Sequence, residues 1–216
     1  MFDYNDLSED IIKFENELDI IFNEENIEKA NNFIAKLNET LKKSPNYYLY
    51  FLLSYTQCFL YHFTLDKELL KSSEKIIEAS IKLNNKFGLS YIQYANILGL
   101  QISSGSNIFI PIVGMKLDSL INKGIRFIPN HFFPYLQRGI STLFKPEMFN
   151  GGATNAIIDF EKSLSYKNNN PEAYAWLGIC FSKQGKKELA IDYLKKAISL
   201  KNSFKFAQEE LAKITT

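Results

Sequence analysis

PEAYAWLGICFSKQGKKELAIDYLKKAISLKNS, running from Pro171 to Ser203, is the stretch that decides the fold. Its apolar residues recur at three- and four-residue spacing on both sides of Gly185, the pattern of two amphipathic helices joined by a tight turn. Gly178, Ala190 and Ala197 are small enough to let the two helices approach closely, and Leu177, Phe181 and Leu194 fill the space that remains.

These residues resemble the tetratricopeptide repeat, a helix-turn-helix unit of about 34 residues. Tyr174 stands where that family has a large aromatic, Leu177 and Gly178 match its Leu-Gly pair, and Phe181 matches its next aromatic. Ala190, Leu194 and Ala197 match the small, large, small series of the second helix. The stretch departs from the family at Asn202, where a helix-stopping Pro is usual.

Working outward from Gly178, Gly139, Gly99 and Leu60 recur at intervals of 39, 40 and 39 residues, which implies four units from about Tyr48 onward. The second helices are expected to present Ser72, Ile76 and Ala79 behind Leu60, Leu117, Ile121 and Gly124 behind Gly99, and Ala156, Phe160 and Ser163 behind Gly139. Gly178 to Ala190 is 12 residues, whereas Gly99 to Leu117 is 18 and Gly139 to Ala156 is 17. The excess places inter-helix insertions near 103–115 and 145–154, an edge where repeat stacks often carry binding function. The insertion with Phe149, Asn150, Gly151 and Gly152 ahead of AIIDFEKSL, followed by NNPEAYAWLG, resembles the branch that includes the T component of spirochaete tripartite (TRAP-type) transporters.

The rest of the chain reads as helix. Ser8 with Glu9 and Asp10 marks a capped start, and a second helix runs from near Asn26 to Lys43, stopped by Pro45. Tyr47, Phe51, Tyr55, Phe59 and Phe63 then recur every four residues in a helix apolar on nearly every side, expected to be buried between neighbours rather than to serve as a ligand platform. Further helices are expected at 67–83, 89–103, 114–127, 132–144, 153–166, 171–183, 187–200 and 204–214. The expected fold is an all-α solenoid of stacked antiparallel helix pairs with about ten or eleven helices. Residues 1–46 are a helical pair packing on the repeats and 47–216 the repeat region, in one continuous domain.

Lys plus Arg number 25 and Asp plus Glu 24, a net charge of +1, so no overall field draws the chain to nucleic acid or an anionic membrane. Arg occurs only at Arg126 and Arg138, which removes the usual bidentate readers of phosphate and guanine. Cys58 and Cys180 lie in apolar helical surroundings and read as small core residues without a disulfide framework. The N-terminus MFDYNDLSEDIIKF has neither the basic flank nor the apolar run of a signal peptide or anchor, so the expected location is cytoplasmic, or periplasmic if an export signal has been removed.

No catalytic pattern emerges, and the chain is read as a non-enzyme without cofactor. His62 and His131 have no ligand partners at metal spacing, and Cys58 with His62 one turn later lacks an orienting carboxylate. Gly151 and Gly152 precede a helix, where amides can cradle an anion, but no P-loop Lys or dinucleotide fingerprint accompanies them, and a tight turn is the plainer reading. The acidic pairs Glu24–Glu25 and Glu209–Glu210 are solvated helix faces.

The resemblance implies a groove lined by first-helix residues. On the unit at Gly139 these are Phe133, Leu136, Ile140, Leu143 and Phe144, all apolar, and on the unit at Gly178 they are Glu172, Ala175, Ile179, Ser182 and Lys183, a mixed set. An apolar patch needs a cover: a partner peptide, a ligand, a second copy or the chain's own N-terminal helices. The expected function is a scaffold binding a protein or peptide partner, with no nucleic acid and no membrane insertion. The alternative is a ligand-binding or transport-accessory protein with an apolar cavity between helices.

Overall fold

A computed structural model describes residues 8–105 and 110–215, in eleven α-helices with no strand among them. They are α1 (Glu9–Glu24), α2 (Ile27–Lys43), α3 (Tyr47–Thr64), α4 (Lys67–Leu83), α5 (Gly88–Ser103), α6 (Ile110–Phe127), α7 (Phe132–Phe144), α8 (Ala153–Tyr166), α9 (Pro171–Lys183), α10 (Lys187–Leu200) and α11 (Lys205–Thr215). A single 3-10 turn, Glu147–Phe149, precedes α8.

Contacts divide the chain into two compact units, Met1–Ile128 and Pro129–Thr216. In the first, α3 with α4 and α5 with α6 form tight pairs, α4 packs on α5, and α1 and α2 both lie against α3. In the second, α7 with α8 and α9 with α10 are the pairs, and α11 closes against α10 and α9. Asparagine recurs at the starts of first helices because its side chain accepts an otherwise orphaned amide: Asn46 from Tyr48 N–H at 2.8 Å and Asn170 from Glu172 N–H at 3.1 Å. His131 does the same for Phe133 N–H through Nδ1 at 3.1 Å. Ser8 occupies the cap position of α1 in extended conformation, but its hydroxyl makes no cap bond, so the acids Glu9 and Asp10 are what favour that helix start.

Each tight pair depends on small residues. A Cβ on Gly178 would lie 2.7 Å from Leu194 Cγ and 3.1 Å from the Ala190 carbonyl, and one on Gly139 would strike the Phe160 ring at 2.6 Å. Near the start of α7, Ser163 Oγ donates to the Phe132 carbonyl at 3.1 Å. In α3 and α4 the equivalent bond runs from Ser80 Oγ to the Tyr47 carbonyl at 2.6 Å. In α5 and α6 a Cβ on Gly124 would sit 3.3 Å from the Gly88 carbonyl and 2.2 Å from Ile92 Cδ1.

Counting seven residues on from Tyr47, Gly88, Phe132 and Pro171 gives Ser54, Ala95, Gly139 and Gly178 as the small mid-helix residues. The expected register therefore holds for the two C-terminal pairs and for α6, whose buried residues are the expected Leu117, Ile121 and Gly124, and is corrected in α3, α4 and α5. Ala95, not Gly99, is the buried small residue of α5, and Gly99 is half-exposed with Leu117 Cδ1 at 3.8 Å as its nearest neighbour. In α3 the role falls to Ser54 rather than Leu60. Its hydroxyl and that of Ser73 donate to each other's backbone carbonyl at 3.2 and 3.0 Å. The buried stripe of α4 is accordingly Ser73, Ile77 and Ser80, one residue on from Ser72, Ile76 and Ala79. A serine is as compact as the contact needs, and its hydroxyl is satisfied across the interface, so glycine spacing alone does not locate it.

The aromatic helix α3 is buried on almost every side, from Tyr48 to Tyr61, and α1 reaches it through Phe22, whose ring lies 5.0 Å from Tyr55 and 4.3 Å from Phe59. α6 begins at Ile110 rather than Gly114, so much of the first insertion is helical, with Pro111 in a first turn that needs no donor there. The rest of that insertion, residues 106–109, lies outside the described residues.

Gly178→Ala should lower stability by about 1–3 kcal/mol through overpacking, and Ala197→Leu, at a site with no exposed surface, should do the same. Gly99→Ala should instead raise it by about 0.5–1 kcal/mol, because only helix propensity changes. Denaturant melts check all three, and a Gly99→Ala protein weaker than wild type would overturn the corrected register of α5.

Candidate partner-binding groove

α7 is fastened to α8 by charge. Asp159 is buried, and it accepts from Arg138 Nε at 2.9 and 3.0 Å and from Arg138 Nη2 at 2.6 Å, the fork-on-fork geometry that makes arginine pairs specific. The same guanidinium lies 5.3 Å from the centre of the Tyr135 ring, and the Asp159 carboxylate beside it pushes its pKa up.

Of the residues assigned to the groove, Phe133 and Leu136 are each 1% exposed and Leu143 is buried, Ile140 is half-buried, and Phe144 is 66% exposed. The solvent-facing part of the set is thus Phe144 with Ile140. Phe144 meets Trp176 of α9 edge-on, with ring centres 6.0 Å apart at 89°. Trp176 in turn lies parallel to the buried Phe160 at 6.4 Å and packs against Phe206 of α11 at 5.1 Å. Phe144, Trp176 and Phe206 form one aromatic row contributed by three successive first helices, and Trp176 and Phe206 are both half-buried. Sequence reading missed the last two. The signal for Trp176 was available, since it is the single tryptophan and shares a helix face with Ile179 and Lys183, two of the assigned positions. Around it the set is mixed: Ala175 is buried, Glu172, Ile179 and Ser182 are half-buried, and Lys183 is exposed.

The insertion ahead of α8 is a tight turn. Asn150 takes the left-handed conformation at φ 58° and Gly152 stands at φ 89°, while a Cβ on Gly151 would lie 2.1 Å from the Lys145 carbonyl oxygen. Gly151 N–H donates to the Pro146 carbonyl at 3.2 Å and Gly152 N–H to the Thr142 carbonyl at 2.9 Å, so both amides are spent in closing the turn. Phe149 is left 64% exposed.

Elsewhere, Cys58 Sγ lies 3.6 Å from Ser73 Oγ and 3.3 Å from Gln93 Nε2, and its partners are these side chains rather than His62. A recess along α4 is lined by Glu68, Lys71, Ser72, Glu74, Lys75 and Glu78. Among the described residues no three His, Cys, Asp or Glu side chains are placed to hold a metal ion, and no helix is long and apolar enough to cross a membrane.

Residues 171–204 match the tetratricopeptide repeat family. The chain superposes on the thermophilic tetratricopeptide protein TTC0263 of Thermus thermophilus with a TM-score of 0.72 and 14% identity, covering 94% of this chain and 98% of that one. This chain has the tetratricopeptide-repeat fold. It also superposes on human IFIT1, in a dimer with PPP-AAAA, at a TM-score of 0.68 and 16% identity over 88% of this chain and 42% of that one. Against the Cut9-Hcn1 hetero-tetramer of APC/C the values are 0.63 and 15%, over 86% of this chain and 33% of that one. No curated protein matches the chain. The family match is confined to residues 171–204 and the structural likeness is one of fold, and neither singles out the transporter T-component-like branch.

Tetratricopeptide stacks generally mediate protein–protein interaction through an extended concave surface. The two thiols of this one are packing residues: Cys58 is 2% exposed and Cys180 fully buried, and burial pushes each from 9.0 up to about 12. At about pH 8 both should react with a thiol reagent at least roughly a hundred-fold more slowly in the native than in the unfolded protein. The folded chain keeps these thiols neutral while the unfolded chain ionises them above about 9, so stability should fall as pH rises from about 9 to about 12. Prompt labelling of either cysteine in the native state would contradict this assignment.

Proposed function

We propose that this chain is a non-catalytic helical-repeat scaffold that holds a protein or peptide partner, as one component of a larger assembly, on the first-helix face of its second unit. The observation that carries the reading is the aromatic row Phe144–Trp176–Phe206, in which a ring left 66% exposed stands against a half-buried tryptophan. Binding energy concentrates on aromatic anchors of this kind, rigid and ringed by less critical contacts. Ile140 extends the same apolar surface, with Leu136 and Leu143 as its packed backing.

Support for a non-catalytic role comes from the groups that chemistry would recruit. Both thiols are held neutral, and the glycine-turn amides are consumed within the turn.

Phe144→Asp is the informative variant, because Leu136 is too deeply packed for a carboxylate to test anything but folding. The variant should keep its helix content and its melting midpoint to within a few degrees. It should bind a partner recovered with the wild-type protein at least about ten-fold more weakly. Binding is read from the fluorescence of Trp176, the only tryptophan, on titration with that partner. Undiminished affinity in a folded Phe144→Asp protein would remove this face from consideration.

A further inference from the structure

The second unit has another exposed surface, which meets the groove set only at Lys183, at the turns joining first to second helices. Met148 is 82% and Phe149 64% exposed at the tip of the α7–α8 turn. The α9–α10 turn lies beside it, joined by a hydrogen bond from Gln184 Nε2 to Thr154 Oγ1 at 3.1 Å. That neighbouring turn presents Lys183, Lys186 and Lys187, all exposed, and Leu189 at 43%. With Lys145, the two turns carry four lysines against the two acids Glu147 and Glu188.

This exposure is built in. The turn that holds Met148 and Phe149 outward is closed by hydrogen bonds from Phe149 N–H and Gly151 N–H to the Pro146 carbonyl, Asn150 N–H to the Glu147 carbonyl, Gly152 N–H to the Thr142 carbonyl and Asn155 Nδ2 to the Gly151 carbonyl. The connections at the opposite ends of the helices are polar, Lys167-Asn168-Asn169-Asn170 and Lys201-Asn202-Ser203. In the first unit apolar side chains are exposed at both ends of the pairs: Leu65 is 69% exposed at the α3–α4 turn, Ile110, Ile112 and Met115 are 57%, 59% and 66% exposed at the start of α6, and Leu83 is 52% exposed at the end of α4. Its α4–α5 connection is Asn84-Asn85-Lys86.

We propose that the α7–α8 and α9–α10 turns dock the protein peripherally on an anionic lipid surface, with Met148 and Phe149 entering the headgroup boundary and the lysines facing the lipid charge. Local charge favours this occupant: the whole chain is nearly neutral at +1, but this surface is basic. The cations are all lysine, which suits a diffuse anionic plane as a mobile point charge, whereas paired carboxylates or phosphates of a folded partner favour the fork of arginine. Side chains protruding from a turn tip also enter lipid without a complementary pocket, as amphipathic interfacial elements do.

The test is flotation of the full chain with vesicles of phosphatidylcholine containing roughly 30 mol % phosphatidylglycerol, against phosphatidylcholine alone, at low salt and at about 0.5 M salt. The expected result is binding to the anionic vesicles only, lost at high salt. It should fall at least about ten-fold both in Met148→Ser/Phe149→Ser and in Lys186→Glu/Lys187→Glu, with melting midpoints unchanged. Absence of wild-type binding to the anionic vesicles at low salt would overturn the proposal, and so would binding that persists in either double variant. Capture of a protein through these same residues without vesicle binding would assign the surface to that protein instead. Neither double variant touches Phe144, Trp176 or Phe206, so this proposal and the groove reading fail separately.

Discussion

The structure depends on how closely two helices of a pair can approach. At each crossing one helix presents a residue with little or no side chain, and the partner's bulk lies against its backbone. Gly178 receives Leu194, Gly139 receives the Phe160 ring, and Ser54 and Ser73 exchange bonds through their own hydroxyls. At the other end of the pair, Ser80 and Ser163 donate to first-turn carbonyls and Gly124 comes near the Gly88 carbonyl. Interiors are packed too densely to absorb an added methyl at such points without displacement, so these few positions set the spacing of every pair.

The remaining surface follows from that spacing. With α7 locked onto α8 by the Arg138–Asp159 fork, Phe144 is left facing outward and Trp176 is brought beneath it by α9. A second consequence is that length added between paired helices must lie beyond the crossing, since the crossing itself cannot lengthen. In α3 it is absorbed by an 18-residue helix, where α9 has 13. Between α7 and α8 it becomes a glycine-closed turn that exposes Met148 and Phe149. The same packing rule thus leaves an aromatic row along the first helices of the second unit and apolar side chains at its α7–α8 turn.

Helix boundaries were legible in the sequence almost residue by residue, because periodicity, Asn caps and Pro stops all point the same way in this chain. The repeat register was legible where the close-approach residue is glycine in both sequence and structure, at Gly139, Gly178 and, on α6, Gly124 with Leu117 and Ile121. Gly99 and Leu60 kept the interval but not the contact. Serine at Ser54, Ser73 and Ser80 does glycine's steric work while reading as an ordinary polar residue, and only the partner carbonyl reveals it. The apolar character of Phe133, Leu136 and Leu143 was plain, but which apolar side chains remain open to solvent depends on neighbours that periodicity does not specify. Trp176 stood out as the single tryptophan, but it falls between two assigned positions and gains its meaning from Phe144 and Phe206, which come from other helices.

Native-state hydrogen exchange read by mass spectrometry tests the dependence on close helix crossings most directly, because amides at such a crossing open only when the pair separates. Slowest exchange is expected in α3 around Ser54, in α5 around Ala95 and across Gly139 and Gly178, with α1, α11 and the turn at Glu147–Phe149 exchanging far faster. Uniform exchange along the helices, or protection centred on Gly99 and Leu60 instead, would contradict it.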